Sequence, residues 1–211
     1  MKSVSLPLLL LALLFCGCLG ARSARTARTD DTWHVVATDD WVTISVERAL
    51  YRKPGSHRDF FMHVAIFNAG TYERGTVVDT DPAQFERCWR VGAFGGFLVG
   101  RAAARHMLPA GEGTILFTGA TASLRGGAGF VNLASPKFAL RAVAQSMARE
   151  LGPKGIHVAH VVIDGQIRSA EGEADAYLDP RTIAEAYVAL HRQPRNAWTQ
   201  ELDLRPWSEK F

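Results

Sequence analysis

The sequence predicts an α/β domain built as a three-layer, doubly wound parallel sheet, and three observations carry that prediction. Apolar runs of strand length recur at Val64–Phe67, Thr114–Thr118 and Ile156–Ile163, the last reading as a strand covered on both faces. Between the second and third runs, Phe138, Leu140, Val143, Met147 and Leu151 recur at three- and four-residue spacing, the mark of an amphipathic helix over 131–151. A strand, a crossover helix and a second strand joined by short Gly- and Pro-marked connections place the two strands parallel in one sheet.

The remaining elements follow from local chemistry. Trp33–Asp39 reads as a strand ending in an acid, and Val42–Leu50 as a short helical stretch. Pro54-Gly55 and several charges make 51–63 a loop. Asp81-Pro82 has the form of an N-cap with Pro at the first helical position, opening a helix over about 82–107. Gly92, Gly96 and Gly100 fall on one face of it, a stripe suited to close packing against the sheet or a second subunit. Gly152-Pro153 stops the 131–151 helix, with Gly152 expected to take the left-handed cap, and Pro136 fits best in that helix's first turn. Asp179-Pro180 caps a helix running to about His191, and residues 198–204 alternate as a last strand. The strands at 64–67, 114–118, 156–163 and 198–204 are expected to form one parallel sheet.

A length of 211 residues with 47% hydrophobic content supports one domain, assigned to 33–211. A formal charge of +3 is too small to point to nucleic acid or an anionic membrane. Residues 1–23 have a positive Lys2, an apolar stretch from Leu8 to Phe15 and small residues at Gly17, Gly20 and Ala21, a pattern read as a secretory leader or as the artefact of a misplaced start. The apolar stretch falls short of the ~20 residues of a membrane span. Residues 24–32 read as a solvated linker, since Arg25 and Arg28 stand beside Asp30 and Asp31. With Cys16 and Cys18 in the leader, only Cys88 remains in the body, so no disulfide supports export. The expected location is secreted, endoplasmic-reticulum or periplasmic if the leader is genuine, and cytoplasmic otherwise.

The segment 113–165 resembles the catalytic half of a short-chain dehydrogenase/reductase, and Phe67-Asn68-Ala69-Gly70 resembles that family's NNAG element at the end of its fourth strand. The resemblance implies a Rossmann-like fold and an NAD- or NADP-dependent oxidoreductase. In the family a Tyr delivers a proton to the substrate oxygen while a Lys four residues later favours its phenolate, a Ser holds the carbonyl, and an Asn stands on the preceding helix. Counting back from Lys137 puts Leu133 in the Tyr place, Ala120 in the Ser place and Gly92 in the Asn place, so that Lys137 is the retained member. The cofactor-facing positions implied are Asp39 for the adenine, Asn68, Ala69 and Gly70 beside the adenine ribose, Thr118 at the end of its strand, Lys137 for the nicotinamide ribose and Ile167 for the carboxamide.

The family's TGxxxGxG loop has no counterpart before Asn68. Such a loop lets backbone amides and a helix N-terminus close on the pyrophosphate, because residues without a Cβ permit the approach. Two readings remain open: an atypical oxidoreductase, and a non-catalytic member that pairs as a homo- or hetero-oligomer through the helices at 82–107 and 131–151. By family strand order the first two strands are expected to be absent. Val64–Phe67 would then be an exposed sheet edge or pair out of order with Trp33–Thr38, leaving the monomer poorly stable.

Overall fold

The computed structural model describes residues 33–39, 42–51, 60–168 and 176–209, with side chains from Val64 onward. The leader and linker readings for 1–32 lie outside the described residues. Six strands form one sheet in the order β1-β2-β3-β4-β5-β6: Trp33–Asp39, Val42–Tyr51, Phe60–Phe67, Gly113–Thr118, Ile156–Ile163 and Glu201–Leu204. The last four are mutually parallel, as the alternation of strand and helix required. Helices α1 (Pro82–Trp89), α2 (Gly95–Met107) and α3 (Val131–Leu151) pack with one side of the sheet, and α4 (Pro180–His191) with the other.

Two clusters flank the parallel strands. On one side Phe67, Ile115, Phe117 and Val158 meet Val99, Met107, Leu140 and Ala144. On the other, Leu116, Ala159 and Val161 meet Ile183, Tyr187 and Leu190. Alternate residues of β4 thus serve opposite layers, as a pleated strand buried on both faces demands.

The glycine stripe belongs to this packing. A Cβ at Gly92 would lie 2.8 Å from the Pro136 Cβ; at Gly96 it would overlap Leu140 Cδ1; at Gly100 it would lie 2.7 Å from Met147 Sδ and 2.8 Å from Phe117 Cζ. Of the two expected uses for the stripe, the sheet and the chain's own α3 fill it. Asp81 and Asp179 cap α1 and α4 as read, accepting hydrogen bonds from the Ala83 and Arg181 amides at 2.9 and 2.7 Å, with Pro82 and Pro180 next in line.

Several expectations are corrected. Val42–Leu50 is strand and not helix: Val42, Ile44 and Val46 are β-branched at period two, and antiparallel pairing with β3 settles the choice. The loop assigned to 51–63 is shorter, because β3 already begins at Phe60. β3 is neither an exposed edge nor paired with Trp33–Thr38; β2 covers it and β1 lies outside β2. The 82–107 helix is interrupted by a π-helical turn at Arg90–Phe94, where one extra residue per turn brings Gly92 against Pro136. Pro136 is the sixth residue of α3 and not in its first turn. Phe138 is 43% exposed although its spacing placed it with the core. Gly152 keeps right-handed helical geometry, and Gly155, at φ +88°, takes the left-handed position beside the Gly111 carbonyl. The last strand begins at Glu201, after a short 3₁₀ turn at Arg195–Ala197.

Substituting the stripe should therefore be costly and substituting the helix end cheap. Gly96→Val forces Leu140 and Phe67 to move and should lose about 1–3 kcal/mol. Gly152→Ala meets nothing within 4 Å at φ −54° and should be neutral or gain up to about 1 kcal/mol. Urea unfolding of both variants beside the parent checks this, and equal losses would overturn the packing account.

Candidate active site

The parallel strands β3, β4 and β5 end at one edge of the sheet, and most of the expected site residues gather there because each follows a strand end. Asn68 and Ala69 leave β3 half-buried, with exposed Gly70 after them; Ala69 packs on the core. Thr118 closes β4. Its hydroxyl bonds the Tyr187 hydroxyl at 2.7 Å, and its carbonyl accepts from Lys137 Nζ at 2.7 Å.

Lys137 reaches that carbonyl from the second turn of α3. It is 8% exposed, and its Cε and Nζ lie 3.9 Å from where a Gly70 Cβ would stand. Burial pulls its ammonium down to about 8. Among the described residues no carboxylate pairs with it. Leu133, one turn earlier, is half-buried, and Ala120 begins the 3₁₀ turn Thr121–Ser123. Ser123 is fully buried, and its Oγ accepts from the Ala120 amide at 3.1 Å. Gly92 is far from this chemistry in kind, sitting against Pro136 in the π-helical turn.

Two expected positions stand apart. Asp39 ends β1 at the same edge of the sheet but two strands beyond β3, roughly 10 Å at ordinary strand spacing. Ile167 packs with Leu116 and Leu178 on the α4 side, and its segment is tied to Leu178 by a backbone bridge.

Further groups at this edge were not singled out from sequence. Asp164, 3% exposed at the end of β5, accepts from the Thr121 hydroxyl and from Arg205 at 2.5 Å. The side chain of His160 points from β5 with Nδ1 3.1 Å from Glu201, which also holds Arg141 through two 2.7 Å bonds. Arg141 keeps the Glu201 carboxyl below its ordinary range, whereas burial pulls His160 down against the opposing pull of Glu201. A Cβ at Gly119 would overlap the His160 ring, so Gly119 is what lets β4 pass this histidine. Pairs such as Asp164 with Arg205 are 41 residues apart, which no local pattern announces. Burial pushes the Tyr187 hydroxyl up to about 12.

The family's dinucleotide would lie along this edge of the sheet. The residues that the resemblance sets on the ribose side, Asn68–Gly70 and Lys137, stand at the edge. On the pyrophosphate side, a strand leading into a Gly-rich turn and helix would have to run parallel to β3 and end beside it. β2 runs antiparallel, so it begins at this edge instead, and no helix separates it from β1, since two residues lie between Asp39 and Val42. Among the described residues the pyrophosphate half does not fit.

The profile of the short chain dehydrogenase family matches residues 61–171, just over half of the sequence. The chain belongs to the short-chain dehydrogenase family. Among relatives, (21S)-21-acetoxyl-apo-melianone synthase SDR of Melia azedarach is 37% identical over 118 residues, 55% of this chain and 42% of that protein. A short-chain dehydrogenase structure from Rhodopseudomonas palustris superposes with TM-score 0.61 at 49% identity, covering 68% of this chain and 62% of that one. A 4-hydroxyisoleucine dehydrogenase complexed with NADH superposes at 0.61 with 20% identity over 69% and 68%, a likeness of fold. The chain spans about half the length, or less, of the curated relatives it matches.

At the opposite edge, a cavity of about 180 Å³ is lined by Thr114, His157, His191, Arg195 and Trp198 among others. His157 stacks on Trp198 and bonds the Thr199 carbonyl, and His191 bonds Thr114. Burial lowers His157, His160 and His191 alike, so the fold favours their neutral forms. In the unfolded chain they take protons near pH ~6.5 while the folded state resists. Their contribution is therefore complete above that pH and lost as the pH falls below it. The urea midpoint should drop between pH 7.5 and 5.5, by less in His157→Gln; a flat profile would contradict the burial argument.

Proposed function

We propose that this short-chain dehydrogenase family member has no dehydrogenase turnover of its own and works as a partner subunit. The observation that carries the reading is the state of Lys137: its ammonium is spent on the Thr118 carbonyl, and the residue one turn before it, Leu133, has no proton to give. By family resemblance Leu133, Ala120 and Gly92 occupy the places of the Tyr, Ser and Asn, and NAD or NADP would be the cofactor.

Among the described residues no neighbour supplies the lost chemistry. Tyr187 reaches Thr118, but its hydroxyl is buried and pushed up to about 12, opposite to the direction a proton donor at neutral pH needs. Ser123 faces the Ala120 amide from full burial. Loss of a general acid alone lowers a rate ~10²- to 10⁴-fold. An antiparallel β2 beside the site also leaves the pyrophosphate charges without a row of backbone amides.

The partner reading is supported by what α1–α3 leave uncovered. Trp89, Phe94, Phe97 and Leu98 are 40–43% exposed along α1, the π-helical turn and α2, and Phe138 is 43% exposed on α3. Phe94 and Phe97 stack on each other, 6.3 Å between ring centroids. Large apolar side chains grouped on helices that already pack together mark an interaction face, here for a second copy or another subunit of the family. The Asp39, Asn68–Gly70, Thr118 and Ile167 positions take cofactor-facing roles only by resemblance.

Two measurements test these readings. Calorimetric titration with NADH and NADPH, beside a turnover assay over a panel of carbonyl compounds, should give binding weaker than micromolar and no rate above background. Leu133→Tyr should not restore activity, since binding remains deficient; clear turnover by the unaltered chain would overturn the reading. Separately, sedimentation should show an oligomer that Phe97→Asp with Phe138→Asp converts to a folded monomer. A monomeric parent would remove the partner reading.

A further inference from the structure

We propose that His157 and His191, which line the cavity at the edge opposite Lys137, form a two-imidazole site for a borderline-soft divalent cation such as Zn²⁺ or Ni²⁺, with His157 Nδ1 and His191 Nε2 as the ligating atoms. The inference goes beyond the reading above, since it concerns the other end of the strands and involves neither nicotinamide nor a partner subunit.

The fold brings the two rings together from separate elements. Thr114 and His157 are register partners on β4 and β5, about 5 Å apart between Cα atoms at ordinary strand spacing. Both face α4, because Leu116 and Ala159, two residues further along each strand, pack on that side. His191 ends α4 and reaches the same place, its Nδ1 2.8 Å from the Thr114 hydroxyl. The two imidazoles therefore flank one threonine and share the wall of a cavity of about 180 Å³.

Each ring is held through one nitrogen and leaves the other. His157 is 3% exposed and stacks on Trp198 with 5.0 Å between ring centroids. Its Nε2, 2.9 Å from the Thr199 carbonyl, must be the donor, since a carbonyl only accepts. In the neutral ring Nδ1 then carries a lone pair, and it is buried without a hydrogen-bond partner among the described residues. The Leu190 carbonyl beside this ring favours its charged form, but burial outweighs that pull and keeps the ring neutral. His191 Nε2 is likewise buried without a partner among the described residues, and it is bare when Nδ1–H donates to the Thr114 hydroxyl. An imidazole fixed by an oxygen at one nitrogen and bare at the other is the form in which histidine ligates metals.

The surroundings decide which cation suits the pair. Among the described residues no third His, Cys, Asp or Glu joins it, so water completes the coordination, and the cavity has room for several molecules at about 30 Å³ each. Imidazole nitrogen favours Zn²⁺, Ni²⁺ and Cu²⁺, whereas Mg²⁺ and Ca²⁺ seek oxygen. Arg192 follows His191, and Arg195, on the cavity wall, donates to the Gly111 carbonyl. Glu112 on the same wall and the carbonyl end of α4, the negative end of its dipole, oppose these two positive charges.

The test is urea unfolding of the full chain, stripped of metal with a chelator, with and without zinc chloride, beside calorimetric titration with the same salt. A site assembled from β4, β5 and α4 exists only in the folded chain, so Zn²⁺ should raise the urea midpoint and Mg²⁺ should not. His157→Gln and His191→Gln should each abolish that rise. Thr114→Val keeps both imidazoles but removes the hydroxyl that orients His191, and it should weaken Zn²⁺ binding by about 10-fold, as the loss of an outer-shell partner does. Should neither histidine variant fold, nuclear magnetic resonance of the parent decides: substoichiometric Co²⁺ should broaden the His157 and His191 ring signals before that of the exposed His106. A parent midpoint unmoved by Zn²⁺, a rise that survives both histidine substitutions, an affinity indifferent to Thr114→Val, or broadening that spares these two rings overturns the proposal. Neither turnover nor self-association enters these measurements, so their failure leaves the readings above to be judged on their own tests.

Discussion

The contact on which the rest of the structure depends is the close approach of α2 to α3 along Gly92, Gly96 and Gly100. With no Cβ at these positions, Pro136, Leu140 and Met147 descend into the space between the helices and reach Phe67 and Phe117 on the sheet. That depth fixes how far α3 stands above β4. Lys137 follows Pro136 directly, so the same contact that buries Pro136 delivers the ammonium to the Thr118 carbonyl. A bulkier α2 would lift α3 away, and the lysine would find water in place of the strand end.

Once there, the amine is set by a balance between two unequal effects. Removing an ammonium from water costs several kcal/mol, whereas one hydrogen bond from a charged donor to a neutral carbonyl returns about 1.5–3 kcal/mol. The difference appears as the fall of Lys137 toward 8. Arg141, one turn further along α3, shows the contrary case: it is partly solvated, meets Glu201 through two bonds and is raised. Two cations on one helix are driven in opposite directions because only one has an acid within reach.

Much of this was legible in the sequence, and the boundary is physical. The runs at 64–67, 114–118 and 156–163 are long, apolar and bounded by Gly or polar residues, so their strand state needed no tertiary information, and the Asp-Pro pairs at 81 and 179 announced their helices. Val42–Leu50 was misread because a short segment with mixed patterning takes its state from its partner, and the partner β3 is seen only in three dimensions. Pro136 misled in the same way: its missing amide favours a first turn, yet the glycine at 92 makes the helix interior a place where its ring is buried. At the site, Lys137 and Asn68–Gly70 were singled out through the family resemblance of their segments. Thr121–Asp164–Arg205 and His160–Glu201–Arg141 were not, because each joins side chains from different strands or helices with no common period.

The direction of β2 also decides what this edge of the sheet can offer an anion. Parallel strands end at the edge and hand the chain to helices, whose first amides point outward and attract negative charge. An antiparallel strand begins there instead, and the chain reaching it comes from the end of β1, where Asp39 stands. The edge beyond β3 thus presents the end of β1 and the start of β2. Toward β4 and β5 the polarity is different again, with a buried ammonium at Lys137 and a buried carboxylate at Asp164 held by Arg205.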